Sequence, residues 1–213
     1  MSHPHWPIWD LVISTPRLEL RPVREADVSD LIDLAGRGIH DPATTPFLSG
    51  FTDLPDAERA RSTVQHYARA LADWNVDRWS LHLVVRHDGE CVGTQSIEAT
   101  SFPVRRTVLS GSWLGRDHQG QGFGTEMRAA VLELAFAHLG ALRAESCAFA
   151  DNPASIRVSE RLGYVPDGWA WEVRRGERVR DLRFAREREG WSAPYATQVG
   201  GITPDLLAQF GLD

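Results

Sequence analysis

The chain has 213 residues and no lysine, because all 23 of its Lys+Arg positions are arginine. A phosphate loop that depends on a lysine is thereby excluded anywhere in it. Cysteine is almost as scarce. Cys91 and Cys147 are too few and too far apart for a zinc ribbon or a disulfide framework, so buried free thiols in a reducing compartment are expected, and no metal site. No uninterrupted apolar run approaches membrane length, and Met1-Ser2-His3-Pro4-His5-Trp6 shows no basic region followed by an apolar one. Neither a membrane partner nor a leader is expected, which places the chain in the cytoplasm. Positive charge is in deficit as well. With 23 basic and 29 acidic residues the net charge is −6, so the overall field gives nucleic acid no general attraction. The remaining composition, 42% apolar and 24% charged, is that of a globular chain long enough for one large core.

Glycine, by contrast, is concentrated where it matters. Gln119-Gly120-Gln121-Gly122-Phe123-Gly124-Thr125 lies between a strand-like run, 107–114, and Met127, Ala130, Val131, Leu134, Ala135 and Leu139 at helical spacing. Glu126, Arg128, Glu133 and His138 fall off that apolar stripe. At a helix start several backbone N–H groups lack an intrahelical partner and the macrodipole adds partial positive charge, so a pyrophosphate is stabilised there if the backbone can approach it. Glycine permits that approach and the unusual φ angles of the bend. The spacing does not fit a Rossmann loop, and the missing lysine excludes a mononucleotide one.

Elsewhere strand and helix patterns alternate. Strand 17–21, helix 25–35, a Pro/Thr/Gly-rich loop at 40–55 and helix 56–75 precede a hairpin of 79–86 and 90–99 around Asp88-Gly89. Strand 107–114, the helix after the glycines, strand 142–149, and a short helix opening at Asn152-Pro153 and closing at Gly163 follow. A last hairpin pairs 165–174 with 179–186, and the tail 192–213 carries a short helix near Thr203-Pro204-Asp205. The expected class is α/β (α+β), one mixed sheet covered by helices.

Gln119-x-x-Gly122-x-Gly124 resembles the acyl-coenzyme A loop of the GNAT superfamily of N-acetyltransferases. A second block, Asn152-x-x-Ser155-x-x-Val158-x-x-x-Leu162-Gly163-Tyr164, is similar to that family's downstream motif, and Thr15-Pro16-Arg17-Leu18-Glu19-Leu20-Arg21-Pro22 resembles the opening strand of its RimJ/RimL-like branch. The resemblance covers about residues 12–192 and leaves 193–213 as an extension. It implies a single acyltransferase domain over 1–213 with the GNAT fold: a mixed, mostly antiparallel twisted sheet of about seven strands, splayed at the acyl-CoA site and flanked by about four helices. The implied activity is transfer of an acetyl group from acetyl-CoA to a primary amine, on a protein N-terminus or a small molecule, directly in a ternary complex.

The same resemblance assigns residues. Gln119, Gly120, Gln121, Gly122, Phe123, Gly124 and Thr125 would bind the pyrophosphate, the backbone of Trp113 and Leu114 and the residues Asn152 and Ser155 the pantetheine arm, and Arg161, with Arg116 and Arg157 as alternatives, the 3′-phosphate. Ser159 stands seven residues after Asn152, where many relatives carry a tyrosine close to the sulfur, so it is the candidate donor to the leaving thiolate; the competing role is that of a small helix residue. Tyr164 is expected in the core. The strand position where family members often place a glutamate is Leu109 in this sequence. That leaves Glu98, on the preceding strand, as the candidate base and His40 as a second, although a strand glutamate is commonly just solvent-facing.

Holding a lysine ε-amine neutral at pH 7 costs about 4.6 kcal/mol and an α-amine only about 1, so a site without a strong base leans toward α-amines. Acetyl-CoA is the expected donor and succinyl-CoA the alternative, which would need a cation or several donors at the acyl end. Trp169 and Trp171 alternate with Ala170 on one strand face, as a cleft wall, a homo-oligomer contact or core. Trp6 and Trp9 are expected to anchor the N-terminal segment. Two other classes compete: a CoA-binding module without turnover, suggested by the missing carboxylate and tyrosine, and a structural protein, opposed by the intact glycines.

Overall fold

The computed structural model describes residues 3–212; Met1 and Ser2, which open the N-terminal stretch read above, lie outside the described residues, as does Asp213. In chain order the elements are β1 (Val12–Ser14), β2 (Leu18–Pro22), α1 (Glu25–Arg37), α2 (Asp56–Ala72), β3 (Arg78–His87), β4 (Glu90–Thr100), α3 (Phe102–Arg105), β5 (Thr107–Leu114), α4 (Phe123–Glu133), β6 (Arg143–Phe149), α5 (Pro153–Arg161), β7 (Val165–Arg174), β8 (Glu177–Glu187), β9 (Gln198–Gly200) and α6 (Pro204–Gln209). One sheet holds the nine strands in the order β7-β8-β6-β5-β4-β3-β2-β1-β9. Its neighbours are antiparallel except for β5 and β6, which run parallel. The expected seven strands and four helices are all present. What the sequence did not show as strand or helix is too short to display a period: β1 and β9 have three residues each, and α3 is a single turn of four.

Alternation along the strands builds two layers of core. Trp79, Leu81, Leu83 and Val85 of β3 point to one face and pack with Met127 and Val131 of α4. Val84 and Cys91 point the other way, onto Leu31 and Leu34 of α1. The tail completes the first layer. Leu206 and Phe210 are fully buried, Phe210 meeting Trp79 edge-on at 4.8 Å, and Trp74 Nε1 donates to Gln209 O at 2.9 Å. Trp6 packs edge-on to Trp74 at 6.0 Å and Trp9 to His3 at 4.6 Å, so both rings hold the N-terminal segment.

Three expectations change. Helix α2 stops at Ala72 rather than at residue 75. Trp169 and Trp171 are 49% and 46% exposed on the edge strand β7, which removes the core reading for them. Cys91 and Cys147 are free as expected, but Cys147 is only partly rather than fully buried. No helix among the described residues is long and apolar enough to cross a membrane.

Candidate active site

Strands β5 and β6 pair only through Thr107, Val108 and Leu109 with Arg143, Ala144 and Glu145. Ser110 Oγ donates to Glu145 O at 3.3 Å, and beyond that bond no pairing between the two strands occurs among the described residues. A wedge therefore opens at Ser110 and Ser146 and runs along the rest of β5 to Leu114. Gly93 of β4 lets β5 come close at the far end, since a Cβ there would lie 2.2 Å from Trp113 O. Trp113 itself packs toward Leu31, Leu34 and Val84, and Leu114 toward the α4 layer, so the two residues line opposite faces of the sheet.

The glycine loop closes the mouth of this wedge. Gln119 Nε2 donates to Leu114 O at 2.9 Å and also to Ile39 O, tying the loop to the end of β5. Gly122 caps α4 with φ at +85°, a left-handed conformation that favours glycine. Helical bonding begins at Thr125 and Glu126, whose N–H groups donate to Gly122 O, and the N–H groups of 120–124 have no protein acceptor among the described residues. Phe123 and Thr125 are buried, and Gly124 faces Val158 of α5, a Cβ there lying in ordinary contact at 3.6 Å from Val158 Cγ2.

Glu126 departs from what its spacing suggested. It is fully buried in the first turn of α4 and accepts hydrogen bonds from Thr15 Oγ1 at 2.7 Å, Arg17 N at 3.1 Å and Arg17 Nε at 2.7 Å. The same Arg17 donates through Nη1 to Gln121 O at 3.0 Å and stacks 4.7 Å from the Phe123 ring. One arginine from the start of β2 thus neutralises the buried carboxylate and straps the loop. The partners lie 109 residues apart in sequence, which is why no local pattern revealed them.

Arg128, also off the apolar stripe, is buried on the wedge side of α4. Its Nη1 donates to Ser159 Oγ at 3.0 Å and to Ser146 Oγ at 3.1 Å. Ser159 is fully buried, and its hydroxyl donates in turn to Ser155 O at 3.3 Å. Asn152 caps α5 by accepting from Ser155 N at 3.2 Å. Tyr164 is buried in the core beside this group, as expected. Arg116, Arg157 and Arg161 are exposed at the rim.

On the opposite face, Leu109 stands in register between Glu98 of β4 and Glu145 of β6. Glu98 is exposed and accepts from Ser80 Oγ at 3.2 Å, while Glu145 accepts from Arg143 Nε at 3.0 Å. Sequence reasoning missed Glu145, because only the parallel β5–β6 register sets it beside Leu109. It missed Asp181 as well: this buried carboxylate on β8 has its pKa raised by desolvation, and it contacts Cys147, whose thiol burial pushes up to about 11. His40 donates through Nδ1 to Asp41 O at 2.8 Å and accepts through Nε2 from Thr52 at 2.9 Å, so both ring nitrogens are engaged within its own loop.

That loop is tied to the end of β7 and the β7–β8 turn. Arg175 donates to both Asp53 oxygens at 2.9 and 2.6 Å and to the carbonyls of Pro42 and Ala43. Arg174 donates to both Asp151 oxygens at 2.9 and 2.6 Å and to Thr45 O at 3.1 Å. Hydrogen bonding to these guanidinium groups holds the Asp53 and Asp151 carboxyls below the usual range.

The wedge between parallel strands thus opens beside a helix start whose first amides lack protein acceptors among the described residues. The acetyltransferase (GNAT) domain family matches residues 17–165. The chain belongs to that family. GNAT membership makes it an N-acyltransferase, and the matched span runs from the strap residue Arg17 through both motifs to the start of β7. Among curated proteins it is 26% identical over 157 residues to the uncharacterized N-acetyltransferase YoaA of Bacillus subtilis (strain 168), covering 74% of this chain and 84% of that protein. Among solved structures, Mycobacterium smegmatis RimJ in complex with CoA-disulfide superposes with a TM-score of 0.72 at 24% identity, covering 90% of this chain and 93% of that one. A RimL ribosomal alpha-N-protein acetyltransferase in complex with coenzyme A does so with a TM-score of 0.67 at 20% identity, covering 83% and 97%. At such identities these structures show a common fold.

Proposed function

We propose that this GNAT enzyme transfers an acetyl group from acetyl-CoA to a primary amine, a protein N-terminal α-amine being the favoured acceptor, by direct attack in a ternary complex. The observation that carries this reading is the run of unpartnered N–H groups at 120–124, placed at the mouth of the β5–β6 wedge. In it, Gln119, Gly120, Gln121, Gly122, Phe123, Gly124 and Thr125 hold the diphosphate, and Arg161 meets the 3′-phosphate at the rim. The pantetheine arm lies in the wedge against the backbone of Trp113 and Leu114 and beside Asn152 and Ser155. The acyl end then reaches the point where Ser110 and Ser146 part.

The amine attacks the thioester carbonyl carbon, the C–S bond breaks with its electron pair going to sulfur, and a proton must leave the nitrogen and another reach the thiolate. Glu98 is the proposed base and Ser159 the proposed donor on the sulfur side. Exposure of Glu98 means that it takes the proton through water rather than by a desolvated contact. A base that acts through water suits an acceptor of low pKa. RimJ and RimL proteins, one named as an alpha-N-protein acetyltransferase, support the same preference.

Succinyl-CoA is the second reading, favoured by one observation: Arg128 supplies a buried cation beside the wedge. Assay of N-terminal peptides and small amines with acetyl- and succinyl-CoA, following free thiol and product mass, tests both readings. Acetylated N-terminal peptide is expected. CoA binding without thiol release from any acceptor would make the chain a binding module instead.

A further inference from the structure

Arg128 is anomalous. Its side chain is 4% exposed, and no carboxylate among the described residues pairs with it. Among the described residues its two hydrogen-bond partners are neutral hydroxyls, and Nε has none. The ionisable groups that reach it are the Tyr164 phenol from beyond α5 and the Cys147 thiol on β6, both pushed upward by burial and so uncharged near neutral pH. A guanidinium keeps its charge in proteins, and an uncompensated buried charge is costly to the fold. Buried side chains of this kind are normally paired with acids. This one faces the head of the wedge instead, behind Ser146 and Ser159.

We infer that Arg128 is a positioning residue for acyl transfer: its unpaired guanidinium sets positive charge behind the Ser146 and Ser159 hydroxyls, where it favours the negative charge that collects on the departing sulfur. The inference rests on the acyl-CoA reading of the wedge. When the C–S bond breaks, the electron pair moves to sulfur and the thiolate faces hydroxyls already polarised by the cation. Arg128 holds Ser159 by its oxygen, which leaves the hydroxyl hydrogen free to turn from Ser155 O toward sulfur. The proton that the thiolate finally takes is the one the attacking nitrogen gives up to Glu98 as the amide forms, passed on by way of solvent. A serine in place of a tyrosine is then adequate, because the electrostatic work is done by the charge behind it.

The deciding experiment titrates the thiol of enzyme-bound CoA by the ultraviolet absorbance of its thiolate, in the wild type and in Arg128→Met and Arg128→Lys. In the wild type the bound thiol is expected to ionise about one pH unit or more below free CoA. Arg128→Met should bring it back near the free value and lower kcat roughly tenfold to hundredfold with little change in KM for acetyl-CoA. Its melting temperature should hold or rise, because a buried unpaired charge has been removed. Arg128→Lys, which keeps a charge with fewer donors, should fall between.

Wild-type protein that binds no CoA overturns the parent reading. Wild-type protein whose bound thiol ionises where free CoA does overturns the inference alone, without recourse to any variant. So does an Arg128→Met enzyme with unchanged kcat, or one that loses only succinyl-CoA turnover, which would make Arg128 an acyl-chain ligand.

Discussion

Replacing Arg17 by methionine removes the cation that neutralises Glu126 while keeping most of the side-chain bulk over Phe123. Glu126 is fully buried, and Arg17 remains 41% exposed. Deleting one partner of a buried ion pair costs about 3–5 kcal/mol, and the exposed arginine places this case near the lower end. For a chain of this size each kcal/mol moves the melting temperature by about 2–4 °C, so a drop of about 6–12 °C is expected. The uncompensated carboxylate also sits in the first turn of α4, where it opposes an incoming diphosphate. CoA affinity, measured by calorimetry below the melting range, should fall about tenfold or more. Adding Glu126→Gln in the same chain removes the orphaned charge and keeps an acceptor for Thr15, so the double variant should regain much of both losses. A double variant no better than Arg17→Met, or a single variant that melts within a degree of the wild type, would refute the coupling.

Three further outcomes are expected. Gly122→Glu forces a side chain into a left-handed backbone position 3.3 Å from Arg17 Nη2 and places a carboxylate beside the loop amides, so CoA binding should vanish in protein that still melts cooperatively; retained affinity would remove the loop from the site. Glu98→Gln should lower kcat about tenfold if Glu98 is the base, and an unaltered kcat would point instead to Glu145 or Asp181. Burial holds the His82 imidazole down to about 3, so the unfolded chain binds the extra proton as pH falls from about 6.5 toward that value, and stability should be lost with a slope approaching about 1.4 kcal/mol per pH unit. His82→Leu should flatten that slope in denaturant titrations, and an unchanged slope would assign the acid sensitivity elsewhere.

The central βα unit and the helix at Asn152 were legible because their signals are local: glycine spacing, an Asn-Pro start, a closing Gly and an apolar period. Glu126 and Arg128 were misleading for the reason that local pattern counts only apolar residues. A helix covered by sheet on one side, by the start of β2 at its beginning and by α5 along its flank has little solvent face left, so its polar positions become buried partners of residues distant in sequence. The clamp from Arg174 and Arg175 to the loop before α2 is likewise a contact between remote segments. The environment of Ser159 was not legible, since its burial and its bond to Arg128 depend on α4 and α5 meeting near Val158. The three-residue strands β1 and β9 carry too few alternations for any period to register.

Acyl-CoA binding at this site requires the amides at the head of α4 to grip a diphosphate, and the sharpest measurement compares ligands with and without that group. Calorimetry with CoA and with pantetheine, on the same folded protein, should show CoA binding at a single site per chain and pantetheine at least about a hundredfold more weakly. Equal affinities for the two, or no heat from either, would contradict it.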